Sequence, residues 1–153
     1  MAKREIRVSS DEILRKICKP VKEINPHTLT LLDDMAETMY AANGVGLAAP
    51  QVGILKRIVV IDLGDGLVEL INPVIVETRG SQIDYEGCLS VPGQSGLVDR
   101  PEYIRVEALN RNGEKIVVEG EELMAVALSH ETDHLDGILY IDKTIPEEDV
   151  EEV

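Results

Sequence analysis

The chain has 153 residues, 44% of them hydrophobic and 29% charged, which suits one domain with a buried core and excludes wholesale disorder. Twenty-nine Asp and Glu against fifteen Lys and Arg give a net charge of −14, which argues against nucleic acid as the main ligand. No apolar run approaches the ~20 residues of a membrane span, the first seven residues hold no signal-like apolar stretch, and two cysteines make no disulfide framework, so a cytoplasmic protein away from membranes is expected.

In chain order, Ser9-Ser10-Asp11-Glu12 predicts a helix start, with Ser9 and Glu12 at capping-box spacing and Pro20 as the stop. A second helix is predicted after Asn25-Pro26, where Leu29, Leu32, Met35, Ala36 and Met39 recur at helical spacing and Gly44 is a candidate C-terminal stop. Arg57 to Asp62 is a β-branched run before the turn Gly64-Asp65-Gly66. Short strands are predicted at Leu67 to Ile71, Val74 to Thr78 and Gln82 to Tyr85. Ile104 to Ala108 and Lys115 to Val118 read as a hairpin across Asn110-Arg111-Asn112-Gly113. A last helix from about Glu121 to about Asp136 has a middle, Leu123 to Leu128, that is apolar all round and therefore buried. The expected fold class is α+β, one domain over residues 1–153. Short antiparallel strands pack around that central helix, and a short acidic tail follows at about 146–153.

The central helix continues as Ser129-His130-Glu131-Thr132-Asp133-His134. Two imidazoles four residues apart share one helical face and can grip one metal ion, and the His-Glu-x-x-His pattern sets a carboxylate beside them to work on water. A catalytic site of this kind needs a third protein ligand. No His follows His134, and His27 stands in a polar stretch that reads as solvated. Cys88, in Glu86-Gly87-Cys88-Leu89-Ser90, is the better candidate, with Gly87 permitting close backbone approach. A thiolate with two imidazoles favours a transition metal over calcium or magnesium. Cys18 has no such company and reads as packing.

Three blocks, Gly44-Val-Gly-Leu-Ala-Ala-Pro-Gln51, Glu86-Gly-Cys-Leu-Ser90 and His130-Glu-Thr-Asp-His134, make the chain resemble the peptide deformylases. Lesser similarities run from Asp11 to Leu139, and one departure is Ser129, where many relatives carry Gln. The resemblance implies hydrolysis of the formyl group from N-formyl-methionyl nascent peptides. It implies Cys88, His130 and His134 as ligands of one divalent ion, natively Fe2+ with Zn2+, Ni2+ or Co2+ able to substitute. Glu131 matches the catalytic acid/base, and Gln51 with the Leu89 backbone N–H matches the donors to the formyl oxygen. Val45-Gly46-Leu47 would offer an edge to an extended peptide, while Gly44 serves equally as a helix cap. Val45, Leu123, Val126 and Ala127 are candidates for the methionine pocket or simply core, and Asp133 is expected to pair with an arginine such as Arg100 or Arg105. A transient ribosome encounter fits such substrates, with no direct nucleic-acid binding expected of so acidic a chain. The rival readings are a zincin-like metallopeptidase and an inactive deformylase-like binding module.

Overall fold

The computed structural model describes residues 2–149. They form helices α1 (Pro26–Ala41) and α2 (Leu123–His134) and strands β1 (Gly46–Ala48), β2 (Ile58–Ile61), β3 (Val68–Arg79), β4 (Gln82–Cys88), β5 (Val91–Arg100), β6 (Tyr103–Leu109), β7 (Lys115–Glu121) and β8 (Thr144–Ile145). β1-β2-β3-β6-β7 make a five-stranded sheet and β4-β5-β8 a three-stranded one, antiparallel throughout. The fold is α+β.

β2 is buried at every position because both its faces are covered. Val59 and Ile61 join Leu70, Ile104 and Val106 against Ala125, Ala127 and Leu128 of α2. Ile58 and Val60 pack on the other side against Leu31, Leu32, Met35 and Met39 of α1. Cys18 is buried in the α2 cluster, as packing. α2 is thus held against the sheet, but not uniformly: Leu123 at its start is 59% exposed, whereas Ser129 to Thr132 and His134 are buried.

The sequence expectations need correction at element ends. Residues 9–20 form only a 3-10 turn at Glu12–Arg15, capped by Asp11, whose carboxylate accepts from the Ile13 N–H, and not by Ser9. α1 begins as expected, with Asn25 and Thr28 capping each other reciprocally. Its stop is Asn43 at φ 59°, not Gly44. The Asn43 N–H donates to Tyr40 O and the Gly44 N–H to Met39 O, the paired bonds of a Schellman ending in which Asn tolerates the left-handed position. α2 is two residues shorter at each end than predicted. The strands are not all short: the stretches predicted at Leu67 to Ile71 and Val74 to Thr78 merge into one strand, β3, with register shifts between Ile71 and Val74 and between Ile75 and Glu77, and β5 was not foreseen. Of the acidic tail, residues 147–149 form a 3-10 turn tied down by the Tyr85 hydroxyl donating to Glu147. Residues 150–153 lie outside the described residues.

Candidate metal centre and active site

α2 places His130 and His134 on one face, ring centroids 5.0 Å apart. Cys88 ends β4, just before the two-residue turn into β5. One donor atom from each of Cys88, His130 and His134 lies within 4.8 Å of the others, and Cys88 Sγ is 3.4 Å from His134 Nε2. The donor set fits a divalent transition metal. Its electrostatics fit too. Burial opposes a charge on His130, yet the nearby acid groups of Glu131, Cys88 and Glu86 outweigh it and lift that imidazole to about 10, so the site favours a positive charge at this spot. Burial, with the positive charges of His130 and Arg100, holds His134 neutral, the form that ligates. Among the described residues the buried His134 Nδ1 and Glu131 Oε1 have no hydrogen-bond partner.

A second layer orients these groups. Glu86 Oε1 is 2.9 Å from His130 Nδ1, leaving Nε2 as the ring nitrogen open to a ligand. Arg100, 2% exposed on β5, donates to both Glu86 oxygens at 2.8 and 3.0 Å. Its third nitrogen reaches Asp133 at 2.6 Å and the Ser129 hydroxyl at 3.2 Å. Asp133 therefore pairs with Arg100, and also with Lys143, whereas Arg105 bonds Glu77. Ser129 is therefore a member of this buried network. Burial works to raise the Glu86 carboxyl, but the bonds to His130 and Arg100 prevail and hold it down at about 2. Sequence reading passed over Glu86 as a functional residue. The signal that could have found it is a carboxylate two residues before a candidate thiolate, on the same face of a strand.

Glu131 is 5% exposed, and burial lifts its carboxyl to about 7 against the opposing charges of His130 and Arg100. That is a base poised near neutrality. It lies against β1: a Cβ at Gly46 would come within 2.5 Å of Glu131 Oε2, so the missing side chain there is what lets the carboxylate sit where it does. Gln51, 1% exposed in the 3-10 turn after β1, is fixed by accepting from the Ala48 N–H at 3.0 Å. Its Nε2 points to Ser90 Oγ at 3.0 Å and Cys88 Sγ at 3.6 Å. A Cβ at Gly44 would meet Leu89 Cδ1 at 2.7 Å, so the first and second sequence blocks pack directly on each other.

A cavity of about 510 Å³ gathers nearly all the candidates: Gly44, Val45, Gly46, Gln51, Gly87, Cys88, Leu89, Leu123, Val126, Ala127, His130 and Glu131 line it, with His134 behind. Among the described residues no Lys or Arg lines it. β1 forms its border as the edge strand of the five-stranded sheet, paired on one side only, with β2. His27 is exposed and takes no part.

The family model for polypeptide deformylase matches residues 3–150. A peptide deformylase of Acetivibrio thermocellus is 71% identical over 145 residues, 95% of this chain and 85% of that protein. One from Thermoanaerobacter pseudethanolicus is 57% identical over 99% of this chain and 96% of its own length. The crystal structure of the Thermotoga maritima peptide deformylase superposes with a TM-score of 0.93 at 42% identity, over 95% of this chain and 100% of that one. The Synechococcus elongatus enzyme in complex with actinonin superposes at 0.91 with 39% identity, over 94% and 79% of the two chains. With a model match across almost its whole length and relatives this similar, the chain belongs to the polypeptide deformylase family.

Proposed function

We propose that the chain hydrolyses the N-terminal formyl amide of formyl-methionyl nascent polypeptides, releasing formate, with the following division of labour. Cys88, His130 and His134 hold one divalent ion. The softness of a thiolate with two imidazoles suits Fe2+, with Zn2+, Ni2+ or Co2+ as substitutes. When bound, the ion supplies Lewis acidity, making water a nucleophile near neutral pH and drawing charge from the formyl oxygen.

The rest falls to the protein. The peptide runs along the open edge of β1 at Gly46, where main-chain bonds accept many sequences. Its methionine side chain enters the cavity among Val45, Leu123, Val126 and Ala127, with Gly44 and Gly87 keeping the walls thin. Gln51 Nε2 swings from Ser90 to donate to the oxyanion together with the Leu89 N–H. One such donor contributes roughly 2.7–4 kcal/mol in comparable sites. Glu131 takes the proton of the attacking water on its carboxylate and returns it to the methionine nitrogen as the C–N bond breaks. Glu86 and Arg100 fix the His130 ring.

The observation that carries the reading is the buried carboxylate of Glu131 beside a Cys–His–His cluster at the foot of a peptide-accepting edge. Metal-loaded protein given a formyl-Met peptide should release one formate per free amino terminus formed. Cleavage of internal peptide bonds would favour the metallopeptidase reading, and binding without formate an inactive module. The enzyme works in the cytoplasm, meeting nascent chains in transient ribosome encounters.

A further inference from the structure

We infer that the free edge of β7 is a self-association surface, on which a second copy of this chain lays its own β7 antiparallel, with Val117 opposite Val117. Among the described residues β7 is an outer strand of the five-stranded sheet, seven residues long and paired on one side only, with β6. The two ends of the hairpin fix which of its backbone groups are left over. The Asn110 N–H donates to Glu114 O at 3.0 Å, and the Glu122 N–H donates to Glu102 O at 3.0 Å. Between these bonds the pairing is unbroken, from Leu109 opposite Lys115 to Tyr103 opposite Glu121. Bonded and non-bonded pairs alternate along an antiparallel ladder, so Ile116, Val118 and Gly120 turn their N–H and C=O groups to β6. Those of Lys115, Val117, Glu119 and Glu121 point away from it, and all four residues are exposed.

What selects a second copy is the order of side chains along that edge. With Val117 on the two-fold axis, Lys115 of each copy stands opposite Glu119 of the other, and Ile116 opposite Val118. Each of the pairs 115–119, 117–117 and 119–115 exchanges two main-chain bonds. Lys115 also has the copy's Glu121 as its diagonal neighbour, and Glu121 itself faces Gly113, so no like charges are directly opposed. Within one chain Lys115 and Glu119 are about 13 Å apart along the strand and cannot pair. Arg105, the residue across from Glu119 on β6, bonds Glu77 instead. At the axis Val117, 58% exposed, meets its copy on the outer face of the sheet. A charged edge discourages unrelated apolar strands, whereas this one is matched by its own sequence run backwards. The other outer strands lack the match: β4 carries Asp84 and Glu86 and no base, and β1 borders the catalytic cavity. The paired copies share one continuous sheet, with a β1 edge and its cavity at each far end.

The test is sedimentation equilibrium of the metal-loaded chain from micromolar to near-millimolar concentration, where the mass should rise from 16.8 kDa towards twice that value. Lys115→Glu opposes two pairs of like charges and should weaken association by about tenfold or more. Lys115→Glu with Glu119→Lys restores both pairs and should restore the dimer. Val117→Pro should abolish it at no cost to the β6 ladder, because the N–H it removes points to the free edge. Under oxidation Val117→Cys should cross-link to its copy, since directly opposed bonded residues lie ~5.5 Å apart between Cα atoms, within disulfide reach. Val74→Cys, equally exposed but in the row two strands further in, should not. Formate release per chain from a formyl-Met peptide should be equal in all of these, which checks that each variant folds. A parent that stays at 16.8 kDa at every concentration, association indifferent to Lys115→Glu, or a doubly exchanged variant that remains monomeric would each overturn the inference.

Discussion

Gly46→Ala should separate catalysis from stability and from metal binding. Gly46 is not at positive φ, so what matters there is space, not backbone freedom. The added methyl would lie 2.5 Å from Oε2, 2.9 Å from Cδ and 3.0 Å from Cγ of Glu131. Carbon contacts relax at about 3.5–4.0 Å, so the carboxylate must retreat by ~1 Å. It has somewhere to go, because Glu131 lines the cavity. The fold then bears only the strain of an off-rotamer side chain, about 1 kcal/mol. Catalysis bears more: a misplacement of ~1 Å at a reacting group costs ~10²-fold in rate. Cys88, His130 and His134 are untouched, so metal content should equal the parent's. The assays are kcat/KM on a formyl-Met peptide, metal per protein by mass spectrometry, and urea unfolding. Activity within threefold of the parent would refute the idea that the carboxylate acts from its present position. Loss of metal alongside activity would show that Gly46 supports the centre and not the base.

Other outcomes follow from the same geometry. Glu131→Gln should keep the fold and the metal while losing ~10²–10⁴-fold in turnover, as removal of a general acid–base does; metal loss would give Glu131 a structural role instead. Cys88 should label with a thiol reagent only after the metal is stripped. Cys18, whose thiol burial pushes up to about 11, should label slowly in both forms, and equal labelling of Cys88 in the two would remove it from the ligand set. Glu86 sits below its ordinary value of 4.5 at about 2 in the folded chain, so its stabilisation is complete above pH 4.5 and is lost as pH falls towards 2. It amounts to about 3 kcal/mol. In metal-stripped protein the gap in unfolding free energy between parent and Glu86→Gln should therefore narrow from pH 6 to about pH 3; a gap unchanged across that range would show that the carboxylate's charge does not hold the site together.

What the sequence revealed and what it hid divide along the separation of partners. The His pair was legible because its two members lie one helical turn apart, and α1 because Asn25-Pro26 and the apolar spacing are local. Cys88 could be found only by asking what completes the His pair, since it lies 46 residues from His134. β5 was hidden because Pro92, Gly93, Gln94, Ser95 and Gly96 are poor strand formers; it is a strand by virtue of β4 on one side and β8 on the other. The overcalled first helix errs the other way. Ser9 and Glu12 match a local pattern, but the backbone at Cys18 and Lys19 is drawn off by Leu135 and Leu55, and no helix continues past Arg15. The tie to Leu135 fixes that segment beside the end of α2, the helix that carries His130 and His134.

The hardest case is Arg100. Nothing near it in the chain explains a guanidinium 2% exposed to solvent. Its partners are 14, 29 and 33 residues away, and each is unremarkable alone. Together they make sense only once β4, β5 and α2 meet: Glu86 needs a counter-charge to be buried beside His130, and Arg100 needs two carboxylates and a hydroxyl to be buried at all. Removing one member would strand the others, so the cluster forms complete or not at all. The buried position of Arg100 is therefore a consequence of the assembled contacts among β4, β5 and α2, which is why its role could be posed as a pairing but not located before the fold was known.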